Sequence, residues 1–220
     1  IGRAKQKASF AGVWSNSSGI NRLSLARMAL FAARDVWFVV SVPIFLASVL
    51  GWSFARVGAF MALWVVGYGV VQGAAPVLLR AATVGWAPGP ALTSALGFGL
   101  AAVTALIPLG LQLKWPPTVT MLGGLGLFGI VFALNSSVHS YLVLAYSEAD
   151  RVSLSVGFYY MANACGRLIG TLLSGMLYQQ AGVMASLWGA VVLAGCAGAV
   201  AATLPPVRGG GSWAAVKGDD

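Results

Sequence analysis

Along this chain the polar positions fall in short clusters and the apolar positions in long runs. Six runs stand out: Leu23 to Leu50, Val57 to Leu79, Leu92 to Leu113, Val119 to Leu142, Val152 to Tyr178 and Met184 to Leu204. A hydrocarbon core about 30 Å thick is crossed by about 20 residues of α-helix, at 1.5 Å per residue. Each run reaches that length, so the pattern predicts an all-α membrane protein with six transmembrane helices. A closed barrel would show segments of roughly ten residues alternating apolar and polar, whereas these runs are continuous and rich in Leu, Ala, Val and Gly. What remains is a polar segment over 1–22, short loops, and a tail over 205–220 containing Gly209, Gly210 and Gly211. These read as a cytosolic linker and a flexible tail flanking a six-helix bundle over 23–204.

Composition narrows the class. Of the 220 residues 59% are apolar and 8% charged, against roughly 45–50% and 25% in soluble domains, and a water-soluble surface cannot be built from that. The formal charge of +8 would suggest nucleic acid in a soluble protein, but between membrane spans basic residues act as topology signals. With the first segment in the cytosol, Arg3, Lys5, Lys7, Arg22, Arg80, Arg151, Arg208 and Lys217 fall inside and only Arg56 and Lys114 outside. Both termini of this segment are therefore expected in the cytosol and the protein in the inner (plasma) membrane, with the lipid bilayer as its partner and no nucleic acid. The opening stretch lacks the apolar core of a signal peptide. A basic, Ser-rich and Asn-rich lead-in suits the loop joining two six-helix halves of a secondary transporter; the rival is a six-helix unit that dimerises.

Charges inside the runs carry the chemistry, because each costs about 2.5–3.5 kcal/mol at the bilayer centre and demands a partner or a purpose. Arg34 and Asp35 fall near the middle of the first run and Arg167 near the middle of the fifth. Neighbouring helix positions point about 100° apart, so Arg34 and Asp35 are not expected to face each other, and Arg167 becomes the expected partner of Asp35. One reading is an ion pair that only holds helices together. The other follows from the surplus: two cations against one carboxylate leave a guanidinium fork suited to phosphate or carboxylate oxygens, so an anionic small molecule would be the transported species. Arg27, about four residues into its run, is expected to snorkel to the interface. In the fifth run Tyr160, Asn163, Arg167, Thr171 and Ser174 recur at spacings of three and four, predicting an inward polar stripe along a water-filled path.

Asn135 and His139 lie four apart in the fourth run; His139 reads either as an interhelical hydrogen-bond partner or as a proton relay. Asp35 is the better proton-coupling candidate. Glu148, Asp150 and Arg151 are expected to form a solvated loop cluster. Pro43 predicts a kink in the first run, and Gly123, Gly124, Gly126, Gly129, Gly166 and Gly170 predict close helix approach. Cys165 and Cys196 are expected to pack inside spans. Without Cys or His pairs at ligand spacing, HExxH or GxSxG, neither a metal, another cofactor nor an enzyme activity is expected.

The stretches RDVWFVVSVPIFL from Arg34, GWSFARVGAFMALWVVGYGVVQGAAPVLLR from Gly51 and VGFYYMANACGRLIGTLLSGMLYQQAG from Val156 resemble the ArsJ family of organoarsenical efflux permeases, in the major facilitator superfamily. The resemblance covers nearly all of 21–204 and corresponds to the C-terminal six helices of a twelve-helix protein. It implies an N-terminal six-helix half as partner and export of 1-arseno-3-phosphoglycerate. A glyceraldehyde-3-phosphate dehydrogenase supplies that substrate, and its export gives arsenate resistance. The resemblance carries no set of binding residues, so Arg34, Arg167, Asn163, Tyr160 and Thr171 as substrate contacts, and Asp35 and His139 as proton-coupling or ion-pair residues, rest on membrane physics alone.

Overall fold

The computed structural model of the chain describes residues 17–82, 88–147 and 152–207. Arg3, Lys5 and Lys7 of the lead-in, the Glu148, Asp150 and Arg151 cluster, and Arg208, Lys217 and the Gly209 to Gly211 run lie outside the described residues. Among the described residues the protein is all helical: α1 (Ser18–Phe38), α2 (Ser41–Ser48), α3 (Phe54–Ala82), α4 (Pro90–Gln112), α5 (Pro117–Ala145) and α6 (Val152–Ala202). Five helical stretches, α1 with α2 counted together, are long and apolar enough to cross a membrane, as in a multi-pass membrane protein.

The elements start and stop for local reasons. Helix α1 begins at Ser18, ahead of the apolar run, because the Ser17 side chain caps it by accepting a hydrogen bond from the Ile20 N–H at 3.4 Å. It stops at Phe38 and resumes as α2 at Ser41. That interruption sits one turn before Pro43, whose ring lacks an N–H and crowds the carbonyl four residues back, at Val39; the expected kink is present. Gly51, in the left-handed region with φ of 67°, turns the chain from α2 toward α3. Pro90 and Pro117 each open a helix, where the missing N–H costs nothing.

Helix α6 has 51 residues, more than twice what a span needs, but its backbone leaves helical geometry at Ala181 and Gly182. Gly182 adopts φ of 65° and ψ of −156°, a conformation open essentially to glycine alone. The chain reverses there. A Cβ on Gly189 would lie 2.8 Å from Leu177, so the arms before and after the break face each other. The first arm runs parallel to α1: Gly166 meets the backbone of Met28 and Gly170 that of Ala32, where a Cβ would fall 2.2 Å and 2.8 Å from the carbonyl oxygens. The second arm returns to the start of α1, where the Arg22 guanidinium donates to the Thr203 carbonyl. It also packs backbone to backbone on α4 through Gly198 and Gly97, a junction closed by the Ser94 hydroxyl donating to the Gly198 carbonyl at 3.0 Å.

At that end the Tyr146 hydroxyl donates to the Pro205 carbonyl at 2.6 Å while its ring covers Gly19. Burial pushes its phenol up to about 12, because the charged form would lose water. Helices α3 and α5 join through Trp64, whose indole N–H donates to the Leu125 carbonyl at 3.0 Å, and through the Ser137 hydroxyl donating to the Gln72 carbonyl at 3.2 Å. An aromatic column fills the centre, with Phe31 edge-on to Phe132 at 5.1 Å, Trp37 edge-on to Phe128 at 5.2 Å, and Phe128 stacked on Phe132 at 5.6 Å.

Candidate functional site

Helix α1 carries the charges. Its residues Ser24, Arg27, Phe31, Arg34 and Asp35 recur at spacings of three and four and so share one broad face, bordered by α6, whose Gly166 and Gly170 meet Met28 and Ala32, and by α5, whose Ser136 and Phe132 meet Arg27 and Phe31. Without side chains at those two positions the α6 backbone comes close enough for Arg167 to reach Asp35.

Asp35 is buried, 3% exposed, and is the sole carboxylate among the described residues. Its Oδ1 accepts from Arg34 Nε at 2.6 Å and its Oδ2 from Arg167 Nε at 3.3 Å. The Asp35–Arg167 pair is the expected one. The Arg34–Asp35 contact overturns the expectation drawn from the 100° divergence. That argument governs Cα–Cβ directions, and three methylenes let the arginine curl back over the neighbouring position.

The two arginines sit in different surroundings. The Arg34 side chain is 14% exposed, with its guanidinium carbon 4.9 Å from the Phe31 ring centre and 5.5 Å from that of Phe132. The Arg167 side chain is 61% exposed. Each uses only Nε on Asp35, so the terminal amino edge of each fork, the edge that matches a carboxylate or phosphate, is left without a protein acceptor among the described residues. One carboxylate between two guanidiniums leaves a net positive charge.

The polar stripe on α6 divides at the edge of the α1 contact. Tyr160, Arg167 and Thr171 are exposed, Asn163 is half-buried with its Oδ1 lacking a hydrogen bond, and Ser174 is buried. In this chain the stripe opens outward beside α1 instead of lining an enclosed path.

Arg27 departs furthest from expectation. It does not snorkel: it is 4% exposed, and its Nη1 donates to both the Ser136 carbonyl and the Ser136 hydroxyl at 3.0 Å. Its guanidinium carbon lies 4.2 Å from the Phe31 ring centre and 4.8 Å from that of Tyr159. Desolvating a cation costs several kcal/mol, and each such ring contact returns roughly 2 kcal/mol when dry. Tertiary packing from α5 and α6 therefore holds Arg27 inside, which no periodicity along α1 could reveal.

Asn135 and His139 are each 1% exposed. Neither the Asn135 amide nitrogen nor its oxygen, nor His139 Nδ1, has a hydrogen-bond partner, so the interhelical bond expected of the histidine is not made through that atom. Cys165 and Cys196 are unpaired and exposed on the outside of the bundle, not packed between helices. No protein-family model matches this chain, and no curated protein matches it.

Proposed function

We propose that the protein is a secondary active transporter that exports an organic anion, and that its anion site is formed by Arg34 and Arg167 around Asp35. One observation carries the reading: two guanidiniums share a single buried carboxylate through Nε alone, leaving both amino edges without an acceptor and one positive charge uncompensated among the described residues. An arginine as exposed as Arg167 cannot stand against lipid at low cost, which calls for water or further protein on that side of α6. A second six-helix half would supply it. On this reading the reversal at Ala181 and Gly182 divides α6 into two spans, the chain crosses six times, and it forms the C-terminal half of a major facilitator superfamily protein in the inner membrane with both ends cytosolic. Tyr160, Asn163 and Thr171 complete the substrate wall, and Asp35 is the proton-coupling group, released from one arginine when the anion takes it.

The resemblance to the ArsJ permeases supports 1-arseno-3-phosphoglycerate as the substrate, an ester whose several negative charges match the surplus cation. It makes arsenate resistance the physiological outcome, with glyceraldehyde-3-phosphate dehydrogenase as functional partner. The alternative within the same architecture is export of another organic anion, a drug or a sugar. Arsenate-sensitive cells expressing the full-length protein with the dehydrogenase should grow on arsenate, whereas Arg34→Gln and Arg167→Gln, present in the membrane at wild-type levels, should not protect. Growth of wild type and variants alike would refute the site; no protection by wild type would refute the arsenic substrate.

A further inference from the structure

Two helical turns along α1 from the Arg34, Asp35 and Arg167 cluster lies a second cationic nest that the pair chemistry leaves unused. Arg27 has no carboxylate partner among the described residues, since Asp35 is engaged by the other two arginines. Around it are polar atoms shut off from solvent and without hydrogen bonds: Arg27 Nε itself, the Ser24 hydroxyl one turn earlier on α1, and His139 Nδ1 on α5, while the Tyr159 ring lies against the guanidinium. His139 is one turn along α5 from Ser136, which accepts both Arg27 hydrogen bonds, and the Asn135 amide, one turn before His139 on the same helix face, is unsatisfied at both its atoms.

The inventory is lopsided. Nε–H and the Asn135 amide nitrogen can only donate, the Ser24 hydroxyl can donate, and the one obligate acceptor among the non-imidazole groups is the Asn135 oxygen. A set of buried donors beside a cation, with no free carboxylate among the described residues to meet it, is the complement of an oxyanion. Buried polar groups are almost always satisfied, so this cluster in the interior of a helical bundle points to an occupant.

We infer that Arg27, with Asn135, His139 and Tyr159, forms a second oxyanion site, for a phosphate or carboxylate group, distinct from the one at Arg34 and Arg167. It deepens the anion-carrier reading and rests on it. Both guanidiniums lie against the same ring, at 4.2 Å for Arg27 and 4.9 Å for Arg34, so Phe31 is the partition between two neighbouring stations. The inner station is closed in this conformation. Its occupation requires the helices around Arg27 to part. An anion held in turn at two arginine stations bridges a stretch of the bundle that one site alone would leave dry.

Equilibrium dialysis of radiolabelled inorganic phosphate against the purified full-length protein in lipid nanodiscs tests this. Wild type should bind two phosphates per protein at these stations, Arg27→Gln should remove one and Arg34→Gln the other. Asn135→Ala, which keeps every charge, should weaken the Arg27 station by about tenfold or more through loss of its hydrogen bond, and it decides the matter if Arg27→Gln does not fold. A single phosphate that Arg34→Gln abolishes and neither Arg27→Gln nor Asn135→Ala disturbs would overturn the second site and leave the proposed function standing. No phosphate bound by wild type would remove both.

Discussion

At Asp35 two arginines compete for one carboxylate from unequal positions. Arg34 approaches at 2.6 Å from a side chain 14% exposed, Arg167 at 3.3 Å from one 61% exposed. Screening by water reduces the second interaction to the scale of a surface pair, below about 1 kcal/mol, whereas removing one partner of a buried pair costs about 3–5 kcal/mol. Asp35→Asn should therefore destabilise the protein by about 3 kcal/mol, chiefly through Arg34. The double variant Asp35→Asn with Arg34→Gln should recover most of that loss in a denaturation experiment, and Asp35→Asn with Arg167→Gln little of it. Equal recovery by the two would mean that Arg167 is as dry in the bilayer as Arg34. The ionic triad illustrates what a sequence can disclose at this scale. The identity of all three residues and the Asp35–Arg167 pairing followed from the cost of charge at mid-membrane, because that cost depends on residue type and depth. The Arg34–Asp35 contact and the burial of Arg27 depend on side-chain length and on Phe31, Tyr159 and Ser136 coming from three helices, and these are not properties of any local pattern.

Among the elements, the contact between α1 and the first arm of α6 determines whether the triad forms. Gly166 and Gly170 lie where a Cβ would meet the backbone of Met28 and Ala32, and backbone cannot rotate aside as a side chain can. Gly166→Ala should push the helices apart, cost about 1–3 kcal/mol by overpacking, and lengthen the Arg167–Asp35 contact enough to impair transport. Gly175→Ala, on the same helix with nothing near its Cβ position, should be neutral or slightly stabilising by helix propensity. Comparing thermal stability and uptake for the two variants separates packing from propensity, and matched losses would show that the interface is not the cause. The helical runs themselves were readable, since apolar length sets them. Their ends were not: Ser17 extends α1 beyond its apolar run, and Pro43 splits it. The polar pair Gln179 and Gln180 marks the reversal of α6 in the sequence, yet the backbone stays helical up to the one glycine able to adopt the turn.

Across the whole molecule burial is uneven, with α1 and α2 at the centre and the most apolar stretch of α3 only 6% buried. An all-round lipid environment suits α3 but not the side of α6 that bears Arg167, Tyr160 and Thr171. Which sides are wet is measurable, because the thiolate that reacts with hydrophilic reagents forms only where water reaches. Cys165 is two positions from Arg167 and so on nearly the opposite side of the helix, while Ala164, three positions away, shares the Arg167 face; both are exposed in this chain. If Arg167 looks into a water-filled path, a hydrophilic methanethiosulfonate should label Ala164→Cys, made in a background with both native cysteines replaced by serine, at least about tenfold faster than native Cys165 or Cys196. Adding an anion that binds at Arg167 should slow that labelling. Equal rates at Ala164→Cys and Cys165 would place both faces in one environment, in which case Arg167 would have to be covered by protein from another chain or another part of this one, and the route for an anion past it would be lost.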